Sequence, residues 1–191
     1  MSDVTRLILS NTISFIDFML VVFYSVHKNR DNMLRILQAE VIMTIITYVI
    51  LGCHYAAAAS VFAMLRNQLC LKYPGSKDGV LLKITVLLVG TSFSAWCAFP
   101  QGTWSDYLPA VSFMFTTTGY FITKSSSTLK IVDALDNLLF WLIFDYLNLM
   151  VFLVVIDLFV VLFPIAERYV KMDRLGSGED EITVPCPAAE G

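Results

Sequence analysis

The chain has 191 residues, of which 57% are hydrophobic and only 15% charged; its formal net charge is −3 and its mean hydropathy +0.71. Soluble domains are typically about 45–50% apolar and about 25% charged, so a water-soluble globule is excluded and lipid must cover part of the apolar surface. No basic cluster is present, which excludes a nucleic-acid-binding surface. The composition predicts an all-α, polytopic integral membrane bundle whose first partner is the lipid bilayer.

The first apolar run, residues 7–26, has about the 20 residues that cross about 30 Å of hydrocarbon. No small-residue cleavage site follows a short apolar core, so this run reads as an uncleaved helix. His27-Lys28-Asn29-Arg30-Asp31-Asn32 is a polar turn. Residues 33–40 are amphipathic and read either as an interfacial segment or as the first turns of the next helix. The second predicted span covers residues 41–65 and contains Ala56-Ala57-Ala58-Ala59-Ser60. Such small residues let a neighbouring backbone approach closely, which is a main source of helix association in lipid.

Residues 66–78 form a predicted loop with the turn signal Tyr73-Pro74-Gly75-Ser76. The third span is predicted at residues 80–99, with Lys83 snorkelling to the headgroups and Trp96 as an interfacial anchor. Pro100-Gln101-Gly102 breaks it. Residues 107–123 are apolar but short, and contain Pro109, Thr116-Thr117-Thr118 and Gly119. They form either a fourth crossing or a re-entrant or interfacial segment.

Asp133 and Asp136 read as an acidic helix start. The last span is predicted at residues 138–163, continuing past Pro164 as an amphipathic exit to residue 172. Residues 1–172 thus make one transmembrane domain, and residues 173–191 read as a flexible acidic tail.

Lys and Arg counts favour four full spans plus the partial segment, with both termini cytoplasmic. That arrangement puts Arg6, Arg66, Lys72, Lys77, Lys83, Arg168, Lys171 and Arg174 inside, and Lys28, Arg30, Arg35, Lys124 and Lys130 outside. Five spans divide the charges almost evenly.

Four ionisable side chains fall at predicted membrane depth: Asp17, His54, Asp145 and Asp157. An ionised Asp near a bilayer centre costs roughly 2.5–3.5 kcal/mol, so each needs a partner or a wet cavity. Asp17 and His54 both fall near the middle of their spans and could meet across an antiparallel hairpin as a proton-holding pair. On one continuous helix Asp145 and Asp157 stand about 18 Å apart and about 120° around the axis, which predicts separate partners. These groups read either as a polar relay or as helix–helix contacts, hydrogen-bonded to neighbours such as Asn11, Ser14, Tyr146 and Asn148.

Thr117-Thr118-Gly119-Tyr120 resembles part of the potassium-channel filter, T-V-G-Y-G, which implies carbonyls lining a pore. Phe121 stands where the second glycine of that pattern belongs. The cysteines, Cys53, Cys70, Cys97 and Cys186, are scattered without a C-x-x-C and read as reduced packing residues. Only two histidines occur, His27 and His54, too few for a diiron histidine box or a bis-His haem pair within one bundle. Neither an acyl-transfer motif nor a phosphate loop is present, so no enzyme activity, cofactor or metal is expected.

In size and layout the chain is similar to the small four-span virion membrane proteins of some plant and insect RNA viruses. The sequence thus favours a non-catalytic structural or assembly subunit of a membrane complex, or a membrane-organising protein, working as a homo-oligomer or with other membrane subunits. The alternative is an ion channel or a proton-coupled transporter that uses the intramembrane acids.

Overall fold

A computed structural model describes residues 3–74, 79–147 and 150–177. It is 89% helical, with no strand among the described residues. In order, α1 is Asp3–Val26, α2 Arg30–Leu51, α3 His54–Lys72, α4 Val80–Ala98, α5 Leu108–Ile122, α6 Ser126–Asp136, α7 Leu142–Leu147 and α8 Val151–Ser177. A 3-10 turn, Trp104–Tyr107, leads into α5, and a π-helical stretch, Asn137–Trp141, joins α6 to α7 without interruption. Helices satisfy every backbone group within the segment, the requirement that hydrocarbon imposes. Side chains such as Ile8, Phe23, Leu81, Leu88, Trp96 and Leu162 stay exposed, the outer surface of a bundle that lies in lipid. Ile8–Val26, Arg30–Leu51 and Val80–Ala98 are each long and apolar enough to cross a membrane on their own.

The second predicted span is in fact two helices. α2 starts at Arg30, where the Asn29 side chain accepts the amides of Asp31 (2.9 Å) and Asn32 (3.3 Å). Residues 33–40 are therefore its first turns rather than an interfacial segment. It stops at Leu51 because Gly52 turns left-handed (φ 83°). The Gly52 and Cys53 amides then close back on Val49 O (3.2 Å) and Tyr48 O (2.9 Å). α3 returns antiparallel along α2, and Arg30 Nη1 reaches Cys70 O at 3.3 Å. The alanine run packs this hairpin: Ala56, Ala57 and Ala59 are all buried. Apolar residues flank Gly52 on both sides, so composition conceals the turn.

The ambiguous segment 107–123 is α5, a helix packed against α3, α4 and α6. Lys83 does not reach outward. It is buried, with its Nζ 5.7 Å from the Phe121 ring.

Consecutive rods alternate in direction, and α1 and α8 run parallel. Ser10 and Ser14 share a small pocket with Met150 and Leu153. Further along, Phe18 meets Phe159 edge-on (5.4 Å), and Lys130 bridges Ser25 O (2.6 Å) and Glu167 (3.4 Å). The start of α1 and the end of α8 thus lie at opposite ends of the bundle. The turn at Gly52 supplies the extra reversal. α8 continues through Pro164 to Ser177, so residues 173–177 of the expected tail are helical, while residues 178–191, with Cys186, lie outside the described residues. Cys53, Cys70 and Cys97 are free thiols.

Nothing lies within 4 Å of a Cβ placed at Gly52, so the cost of a side chain there is purely conformational. Gly52→Ala is expected to lower stability by about 1–2 kcal/mol, read as an earlier thermal transition of the detergent-solubilised protein. An unchanged transition would refute the assigned turn.

Candidate functional site: a carboxyl-lined cavity inside the bundle

Between the helices lies a cavity of about 130 Å³, lined by six carboxyl side chains, Asp17, Glu40, Asp133, Asp136, Asp145 and Asp157, and by the guanidinium side chain of Arg66. The acids fall into three groups along the bundle. Nearest the Gly52 end, Tyr48 donates to Asp145 (3.2 Å), and the Asp157 carboxyl stands beside that of Asp145. Tyr48 is held by stacking on Trp141 (5.7 Å) and by the edge of Phe144 (6.0 Å).

In the middle, Thr44 Oγ1 lies 3.0 Å from Asp17 Oδ2 and 3.2 Å from Glu40 Oε1. One hydroxyl carries a single proton. Thr44 can therefore donate to one of these acids while accepting from the other. Across the cavity Ser112 donates to Asp136 Oδ2 at 2.9 Å.

At the far end Asp133 accepts two phenols, Tyr24 on Oδ2 and Tyr120 on Oδ1 (2.6 Å). Arg66 stacks over the Tyr120 ring at 3.9 Å, and its Nε donates to Asn67 (3.1 Å).

Local backbone puts these groups on one wall. Asp133, Asn137, Trp141 and Asp145 recur every four residues and all line the cavity. An ideal α-helix has 3.6 residues per turn and would carry that row around its axis. The wider π turn at Asn137–Trp141 keeps the row on one face.

The structure gathers Asp17, Asp145 and Asp157 into this cavity. The separation of Asp145 from Asp157 expected on one helix does not occur. α7 ends at Leu147, Met150 N bonds back to Asp145 O (2.9 Å), and α8 returns so that both carboxyls line the same cavity. His54 is not in the cavity. It starts α3 at the bundle's end and is exposed, and Asp17 pairs with Thr44 instead. The displacement follows from the turn at Gly52, which takes His54 out of mid-span.

Nor does Thr117-Thr118-Gly119-Tyr120 form a filter. It lies within the helix α5, where Thr118 Oγ1 donates to Met114 O (2.8 Å), so its carbonyls serve the helix. Gly119 instead lets α6 approach: an added Cβ would stand 2.7 Å from Val132 Cγ1. Tyr120 reaches the cavity with its hydroxyl, not its carbonyl.

A family model described as a bacterial inner membrane protein matches residues 8–174, nearly the whole described bundle. The chain belongs to the Imp-YgjV family. This places it in the inner membrane of a bacterium, as a multi-pass helical protein. Neither the curated proteins nor the solved structures compared with it contain a match.

Sequence reading missed Glu40, Arg66, Asp133 and Asp136 in this Imp-YgjV protein because each fell outside a predicted span. The four-residue row from Asp133 to Asp145 was a signal that could have joined them. Removing Asp133 tests the network. Asp133→Ala leaves two buried phenols without an acceptor, each unsatisfied group costing about 1–3 kcal/mol. Adding Tyr24→Phe and Tyr120→Phe to Asp133→Ala should therefore recover part of the lost thermal stability. A triple variant weaker than Asp133→Ala alone would show that the phenols are held by something else.

Proposed function

We propose that this Imp-YgjV protein is a non-catalytic carrier that moves a small solute across the inner membrane together with protons. The observation that carries this reading is the cavity itself: six carboxyl side chains and one guanidinium in the core of an apolar bundle. With every group ionised, five negative charges would stand uncompensated where even one is costly. The missing positive charge has to come from protons or from a cationic solute, so taking up one displaces the other. Thr44, poised between two acids, and the Asp145–Asp157 pair are places where a proton can change owner. The lining groups all come from one chain, so the reading needs no second copy to complete the site. The structural-subunit expectation rests on composition, and no feature of the fold favours it over a polar cavity.

The same reading takes all seven rods as crossings, counting α6 through α7 as one. Among the described Lys and Arg residues, only Arg6 then lies at the end where α1 begins. The others fall toward the opposite end: Lys28, Arg30 and Arg35 around the α1–α2 turn, Arg66, Lys72 and Lys83 on the facing parts of α3 and α4, Lys124 and Lys130 before and within α6, and Arg168 to Arg174 along the end of α8. By the positive-inside rule that end faces the cytoplasm, so α1 starts on the periplasmic side and α8 ends in the cytoplasm. A green fluorescent protein joined at the C-terminus should fluoresce, and alkaline phosphatase placed in the loop at Gln101 should be active. The reverse pattern would overturn this orientation.

Transport is tested in proteoliposomes containing a trapped pH dye. Adding a dialysable extract of bacterial metabolites should change the internal pH with the wild type, and Asp145→Asn or Asp157→Asn should reduce the rate at least tenfold. Vesicles that stay tight and silent with folded wild-type protein would refute the carrier.

A further inference from the structure

We propose that the ligand of this cavity is a compact cation rich in N–H groups, a protonated amine or a guanidinium, bound between Asp17 on α1, Asp136 on α6 and Asp157 on α8. The inference rests on the carrier reading and narrows it to a substrate class. Among the described residues that line the cavity, three side-chain atoms have no hydrogen-bond partner: Asp17 Oδ1, Asp136 Oδ1 and Asp157 Oδ2. Their residues are only 1%, 3% and 5% exposed, so bulk water does not serve them. The companion oxygens of Asp17 and Asp136 are already engaged by Thr44 and Ser112. What the cavity leaves open is therefore a set of acceptors without donors, and a ligand that completes it must bring donors and positive charge.

A bare metal ion does not fit this arrangement. Among the described residues no three His, Cys, Asp or Glu side chains lie close enough to hold one. The three orphan oxygens come from separate helices, and an organic cation can span them with N–H groups that point in several directions. The cavity's volume of about 130 Å³ is close to that of an engineered cavity of about 150 Å³ that takes one benzene, which limits the ligand to a few heavy atoms. Trp141 and Tyr48, stacked on each other, also line the cavity. Arg66 leaves the middle of the cavity free, because its guanidinium is held over Tyr120.

The test uses the full chain in phosphatidylethanolamine–phosphatidylglycerol nanodiscs with methylammonium or guanidinium as probe, at millimolar concentrations. Tetramethylammonium supplies charge without N–H, methylurea supplies N–H without charge, and potassium represents a simple cation. Methylammonium or guanidinium should raise the thermal transition saturably, while the three comparison solutes should not. Asp136→Asn and Asp157→Asn should weaken the response at least tenfold, and Asp31→Asn, on the exposed start of α2, should leave it unchanged. The discrimination among solutes needs only the wild type, so a variant that fails to fold does not decide the matter. Equal stabilisation by tetramethylammonium or potassium, or none by either N–H cation, would overturn the inference. Proteoliposome flux of a neutral solute that methylammonium fails to inhibit would overturn this substrate class and leave the carrier intact. Saturable binding of an N–H cation without flux of any solute would support the site and remove the carrier.

Discussion

A carboxyl group inside a lipid-embedded bundle has only the protein, and what the protein holds, to solvate it. Most of the polar architecture of this chain answers that constraint. Tyr24, Thr44, Tyr48, Ser112 and Tyr120 all turn hydroxyls toward acids. A hydroxyl can donate to an ionised carboxylate and can also accept from a protonated one. A lining built of hydroxyls therefore tolerates both forms with little rearrangement. The same bonds tie α1, α2, α5, α6 and α7 into one bundle, because in lipid there is no hydrophobic drive to bring helices together. Specific packing and hydrogen bonds have to supply that cohesion.

Two local departures from ideal helix geometry create the cavity. Gly52 folds the chain back, so that α2 and α3 present Thr44, Tyr48 and Arg66 to one space. The π stretch Asn137–Trp141 holds a four-residue row of polar and aromatic side chains on one face of the rod from α6 to α7. In each case the backbone change is small. Its consequence is large, because it decides which acids share an environment and which stay apart.

The outward surface does a different job. Its exposed aliphatic and aromatic side chains are what a hydrocarbon solvent permits, and the charges gather toward the rods' ends. Membership of a bacterial inner membrane family fits that surface and says nothing about the interior. The interior is where function has to be sought, because a lipid-facing Leu or Phe satisfies the membrane whatever the protein does.

Helix content, membrane residence and the acidic character of the interior were legible in the residues alone. Apolar runs of sufficient length report their solvent directly, and Asp17, Asp145 and Asp157 stand out within them. Which acids meet was not legible. A one-residue turn at Gly52 costs little in composition, yet it changed the number of rods, exposed His54 and placed the start of α1 and the end of α8 at opposite ends of the bundle. The reversal between α7 and α8 likewise joined two aspartates that a straight helix would keep about 18 Å apart. Glu40, Arg66, Asp133 and Asp136 looked like loop or interface residues until packing buried them. Hydropathy is a sum over neighbours in sequence, whereas a cavity is defined by neighbours in space. The chain's solvent could therefore be read from its sequence, and its site could be seen only in the fold.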